Sequence, residues 1–277
     1  MDRTAERVML ITGASSGIGK ASAAHLAQRG WRVFGTSRTP PPVLPRPDWQ
    51  GRLTMLPLDV TDAASITAAV GTVLERAGRL DAVVNNAGVG LFGPLEEVPL
   101  EEVRAHFEVN VFGLLRVCQE TLPVLRRQGG GYIINIGSLA GQVALPFQGV
   151  YSAAKFAVEG LTEALRMEAH PFGVHVVLVE PGDVATPFTA NRRRVGGGLG
   201  SPYAREAREA LAVAESDEQN GISPWLVARL LARLLEHPRP RLRYTVAGWE
   251  QRLVPLLRRW LPDRWAARLL MRHYGLL

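Results

Sequence analysis

The 277-residue chain has one cysteine and, although Lys and Arg together number 32, only two lysines, Lys20 and Lys155. A single Cys118 excludes an internal disulfide and fits a reducing compartment. It falls within "FGLLRVCQETL", a helical pattern in which a free thiol packs as a small hydrophobe. Long apolar runs are also missing. The run nearest the N-terminus, Val8 to Thr12, is too short for a signal-peptide core, and nothing elsewhere approaches about 18 uninterrupted apolar residues. A cytoplasmic location is therefore expected. The histidines, His25, His106, His170, His175, His237 and His273, show no ligand spacing, so no metal site is expected.

Excess charge is absent from most of the chain. The net charge is +6, yet residues 239 to 277 hold nine Arg against Glu250 and Asp263, giving +7, which leaves the remaining residues at −1. The tail is basic and the body is neutral. The tail arginines lie among Leu and among Trp249, Trp260 and Trp265 at helical spacing, not in a nucleic-acid-binding motif, so nucleic acid is not an expected partner. Two readings stay open for residues 239–277. They form helices packed on the body or across a dimer interface, or they form a basic amphipathic segment resting on an anionic membrane.

What the chain does have is an alternation. Six β-rich runs, "RVMLIT", "WRVFGTS", "RLTMLPLDV", "LDAVVNNAG", "GYIINIGS" and "VHVVLVEPG", are separated by stretches of helical spacing. Near-continuous apolar strands alternating with helices predict a doubly wound α/β domain, a parallel sheet covered on both faces. Ligands then bind at the carboxyl ends of the strands. "TPPPVLPRPDWQG" reads as an irregular surface connection, and "NRRRVGGGLGSPY" as a mobile loop. Asp62 and Asp81 read as a helix N-cap and a strand-start residue.

"VMLITGASSGIGKASAAHLA" predicts a strand, a tight turn and a helix. Gly13, Gly17 and Gly19 let the backbone turn and approach a pyrophosphate, while Ser15, Ser16 and Ile18 complete the turn at a helix N-terminus with free N–H groups. The second strand ends in "FGTSR", with no acid to hydrogen-bond a ribose 2′-hydroxyl. Ser37 and Arg38 instead offer a hydroxyl and a guanidinium suited to a phosphate monoester, with Ser15 as a second contact, so NADP is the expected cofactor. The plainer alternative is that Arg38 is one more solvated arginine.

The motifs "TGASSGIG", "LDVTD", "NNAG", "FEVN", the serine of "NIGS", "YSAAK" and "PGDVAT" occur in an order that resembles the short-chain dehydrogenase/reductase family over residues 8 to 188. The stretch from Tyr151 to Gly182 further resembles 17β-hydroxysteroid and retinol dehydrogenases. The resemblance implies a Rossmann fold, a single domain with a helical C-terminal extension. Residues 1–190 would bind dinucleotide and carry catalysis, and residues 191–277 would supply the substrate cover, from Phe188 to Tyr203, and the extension. It implies Tyr151 as general acid/base, Ser138 as the group that holds the substrate oxygen, and Lys155 as the cation that lowers the tyrosine pKa and binds the nicotinamide ribose. Asn110 would anchor a relay water. Asp59 and Val60 would meet adenine, Asn86, Ala87 and Gly88 the nicotinamide ribose, and Pro181, Gly182, Val184 and Thr186 the carboxamide. The implied activity is NADP(H)-dependent interconversion of an apolar alcohol and its ketone or aldehyde. The implied assembly is a homodimer or homotetramer through the helices around residues 101–127 and 151–170. Two other classes remain, a catalytically silent dinucleotide-sensing regulator and a lipid-surface binding protein with the same fold.

One of the two lysines therefore stands four residues after a tyrosine, on the same helix face. A phenol with a pKa of about 10 is a poor base near neutral pH, and a nearby cation favours its ionised form. Lysine is a compact point charge, arginine a broad planar fork. A solvated Tyr–Lys pair on a helix surface is the plainer reading. Arg192 to Arg194 read as a solvated run, or as contacts for an acidic substrate group.

Overall fold

Strands β1 (Val8–Ile11) and β4 (Ala82–Asn85) are buried at every position, and β7 (Val174–Pro181) at all but His175, because helices cover both faces of the sheet they build. The computed structural model describes residues 6–42 and 51–277, with residues 256–259 as backbone only; most of the proline-rich connection lies outside this set. The other strands are β2 (Arg32–Ser37), β3 (Leu53–Pro57), β5 (Leu91–Phe92), β6 (Gly131–Ile136), β8 (Arg193–Arg194) and β9 (Arg243–Val246). The helices are α1 (Gly17–Gln28), α2 (Ala63–Ala77), α3 (Leu100–Phe107), α4 (Leu114–Arg127), α5 (Gly149–Ala169), α6 (Ala204–Gln219), α7 (Pro224–Glu236), α8 (Trp249–Trp260) and α9 (Asp263–His273).

Seven strands form a parallel sheet in the order β3-β2-β1-β4-β6-β7-β9. On one face Val70, Val117, Leu125 and Val158 from α2, α4 and α5 pack over the strands; on the other, Leu26, Val227 and Leu231 from α1 and α7 do so. The order reverses between β1 and β4, which opens a crevice at their carboxyl ends. Asp62 caps α2 by accepting from Ala64 N at 2.9 Å, and Asp81 accepts from Val8 N at 2.8 Å, tying β1 to the start of β4. Cys118 is buried, and burial pushes its thiol pKa up to about 12.

Three features depart from the sequence expectation. The seventh strand, β9, was hidden in the basic tail, since "RYTV" is short and lies between Pro240 and Gly248. The open edge of β7 recruits it, and Arg243 reaches Glu159 at 2.9 Å. The long helix expected over residues 101–127 is continuous but contains a π turn at Glu108–Gly113 that the spacing did not show. The loop expected to be mobile contains β8, which pairs with β5. Among the described residues no helix is long and apolar enough to cross a membrane.

Candidate active site

The β1–α1 turn is shaped by what it must approach. Gly13 has φ +67°, and a Cβ there would lie 2.9 Å from Ala87 Cα. The loop after β4 is clamped against this turn. Thr12 Oγ1 accepts from Asn86 N and Ala87 N, both at 3.0 Å, and Asn86 Nδ2 donates to Thr12 O and Gly13 O at 3.0 Å. No side chain caps α1 at Ser16, so the helix N-terminus keeps its free N–H groups. Ser37 Oγ is buried with no protein partner, on the same wall as Arg38.

A cavity of about 970 Å³ runs along the carboxyl edge of the sheet. Ser15, Ser16, Gly17, Ile18, Asp59, Val60 and Gly88 line it, as do Pro181, Gly182, Val184 and Thr186. Gly13, Asn86 and Ala87 also reach its wall. Gly19 does not. A Cβ at Gly19 would collide with Gly13 O and Asn86 Nδ2, so this glycine serves close packing of helix on strand.

The same cavity brings Ser138, Tyr151, Lys155 and Asn110 together. Ser138 follows β6, its Oγ accepts from Ala140 N at 3.1 Å, and it lines the cavity together with Tyr151. Tyr151 and Lys155 share one face of α5. Lys155 Nζ lies 5.8 Å from the centre of the Tyr151 ring and donates to Ile136 O at 2.9 Å. Burial dominates the electrostatics of the pair. Burial pushes the Tyr151 pKa up to about 12, against the opposing effect of the nearby Ser138 side chain, and burial lowers that of Lys155 to about 8. In this arrangement desolvation sets the direction of the phenol's shift.

Asn110 sits in the π turn, a local geometry often found at functional sites. Its Oδ1 accepts from Val89 N at 3.2 Å, and its Nδ2 donates to Val89 O at 3.2 Å and His106 O at 3.0 Å. The side chain thus ties the loop after β4 to the helix. His106, buried beside it, packs edge-on against Tyr151 with ring centres 6.0 Å apart. Burial and the Lys155 charge lower its pKa to about 4, so it is neutral.

The far wall was not legible in the motifs. Val143, Leu145 and Phe188 supply apolar surface, and the Phe188 ring centre is 5.8 Å from that of Tyr151. The tail closes the cavity with Val254, Leu261, Leu270 and Tyr274, while Asp183, Asp217, Glu218 and His273 add a polar patch. Burial, with Asp217 and Glu218 nearby, raises the Asp183 pKa to about 6. The spacing of Ala266, Leu269, Leu270, His273 and Tyr274 was the available signal, one face of a helix. Arg192 also corrects an expectation. Its side chain is 1% exposed and pairs with Glu218, whereas Arg193 and Arg194 are solvated and pair with Glu102 and Glu215.

The sequence model described as short chain dehydrogenase matches residues 7–195. A 3-ketodihydrosphingosine reductase of Bacteroides thetaiotaomicron is 40% identical over 93% of this chain and 94% of its own length. Human 17-beta-hydroxysteroid dehydrogenase type 1 is 38% identical over 94% of this chain and 82% of its own. A short chain dehydrogenase of Burkholderia cenocepacia, solved in complex with NADP, superposes with a TM-score of 0.74 at 27% identity, covering 96% of this chain and 98% of its own.

Proposed function

The chain belongs to the short-chain dehydrogenase/reductase family of oxidoreductases, and from that premise we propose that it is an NADP(H)-dependent enzyme interconverting a lipophilic alcohol and its ketone or aldehyde. One observation carries the reading: Ser138, Tyr151 and the buried Lys155 line one cavity at the carboxyl edge of the sheet, with Lys155 Nζ 5.8 Å from the centre of the Tyr151 ring.

The residues present fit a dinucleotide. A turn that tolerates no Cβ at Gly13, the uncapped N-terminus of α1 and the unpartnered Ser37 hydroxyl form a cradle for phosphate groups. Ser15, Ser37 and Arg38 favour the 2′-phosphate of NADP, although solved members of the family hold NAD or NADP. Asp59 and Val60 would meet adenine, Asn86 to Gly88 and Lys155 the nicotinamide ribose, and Pro181 to Thr186 the carboxamide. When bound, the nicotinamide supplies or accepts the hydride. The protein handles the proton. With its high pKa, Tyr151 holds the phenolic proton at neutral pH and delivers it to the carbonyl oxygen during reduction. Ser138 orients that oxygen, and the Lys155 ammonium, charged below about pH 8, stabilises the phenolate left behind. Asn110 holds the loop that faces the reacting centre.

Apolar walls and relatives named for a sphingosine precursor and a steroid support a lipophilic substrate. Residues 1–190 hold the dinucleotide and the reacting groups in this reading, and residues 191–277 form the cover. The exposed Phe112, Phe156 and Met167 on the long helices supply an apolar face for a homodimer or homotetramer. The test is NADPH oxidation against a panel of apolar ketones. Turnover abolished by Tyr151→Phe, with NADPH still bound, supports the enzyme. NADPH binding without turnover on any carbonyl favours a dinucleotide-sensing regulator instead.

A further inference from the structure

The two tail helices that close the cavity carry exposed aromatic residues. Trp249 is 73% exposed, Trp260 82% and Trp265 49%. The helices that carry them line the cavity through Glu250, Gln251 and Val254 on α8 and Ala266, Leu269 and Leu270 on α9. Leu269 belongs to both surfaces, since it is 53% exposed and lines the cavity. An apolar path therefore runs from the outer face of α9 to the interior.

Basic charge accompanies these indoles. Arg264, Arg268 and Arg272 recur at four-residue intervals on α9, and the guanidinium groups of Arg264 and Arg268 lie 5.9 and 5.8 Å from the centre of the Trp265 ring. Residues 248–277 hold six Arg against Glu250 and Asp263, a charge of +4. Exposed indoles and arginines on two consecutive helices are the composition of a segment lying in a bilayer interface, the rings at headgroup depth and the cations on acidic lipid. A second copy of this chain fits the face poorly, because a twofold contact would oppose two surfaces of like charge.

We propose that α8 and α9 dock on an anionic phospholipid bilayer, so that a lipophilic substrate enters the cavity past Leu269 without crossing water. The route of entry rests on the proposed lipophilic-substrate reading; the docking itself does not. The test is co-sedimentation of the full chain with phosphatidylcholine vesicles and with vesicles about one-third phosphatidylglycerol, at low and high salt. We expect binding to the anionic vesicles alone, weakened by salt. An arginine near an acidic surface contributes about fivefold, so Arg264→Gln with Arg268→Gln should weaken binding roughly thirtyfold. Trp260→Ser should weaken it as well, while turnover of a water-soluble ketone stays at the parent level in both variants. Equal binding to both vesicle types, no binding, or full binding by the double arginine variant overturns the proposal. So does concentration-dependent self-association that Trp260→Ser abolishes in the absence of vesicle binding. Vesicle binding without turnover of any ketone leaves docking standing and removes only the route of substrate entry.

Discussion

Lys155 Nζ lies 5.8 Å from the centre of the Tyr151 ring, yet its hydrogen bond goes to Ile136 O at 2.9 Å. The last residue of β6 therefore holds the ammonium beside the phenol without a direct bond between the two. Below about pH 8 both groups carry their protons, the state that the proposed reduction requires.

Tyr151→Phe removes the transferable proton and leaves the ring's packing against His106 and Phe188. Ketone reduction should fall about 10²–10⁴-fold, the usual contribution of a positioned general acid. NADPH affinity by fluorescence titration and the thermal midpoint should stay close to the parent. A variant that keeps most of its turnover would remove Tyr151 from the chemistry.

The pH profile should follow Lys155. Reduction should be flat near neutrality and decline above about pH 8, where the ammonium loses its proton. Stability has the opposite sign. The folded lysine releases its proton at about 8 and the unfolded one near 10.4, so the cost of burying charge is fully present below about 8 and shrinks as pH rises toward 10.4. Lys155→Met should abolish activity yet stabilise the fold by about 1–2 kcal/mol at pH 7, with the gain fading between about pH 8 and 10.4. Urea unfolding at several pH values measures this.

Arg38→Ala should raise the KM for NADPH about 10–100-fold, the loss of a hydrogen bond to a charged group, and leave that for NADH little changed. Steady-state kinetics with both cofactors at one ketone concentration checks it. Equal effects on the two cofactors would show that Arg38 does not read the 2′-phosphate.

Two glycines should respond in opposite directions. At Gly19 a Cβ meets Gly13 O and Asn86 Nδ2, so Gly19→Ala should cost about 1–3 kcal/mol. At Gly71, within α2, a Cβ meets nothing within 4 Å, and Gly71→Ala should stabilise by about 0.5–1 kcal/mol. Chemical denaturation of the pair tests whether Gly19 is a packing residue.

Local chemistry made much of the site legible. The glycine turn, the end of β2 and the Tyr151–Lys155 spacing are short-range patterns whose geometry follows from one turn, one strand end and one helix. Tyr151 and Lys155 had to share a face of α5, and Gly13 had to permit a backbone with positive φ. The shift in the tyrosine's acidity was not legible, because it depends on how much protein surrounds the phenol, and spacing carries no burial.

Sequence alone determined the alternation of strand and helix, the position of the glycine cradle and the grouping of tyrosine with lysine, since each is set by neighbours a few residues apart. Only the tertiary structure decided that β9 completes the sheet, that Arg192 is buried against Glu218, and that α9 closes the cavity with Leu270 and Tyr274. Those outcomes depend on surfaces from distant parts of the chain, an open edge on β7, a carboxylate on α6 and an apolar opening beside Phe188. Whether a short basic strand pairs or an arginine is desolvated depends on the partner waiting for it, and that partner is named nowhere in the local sequence.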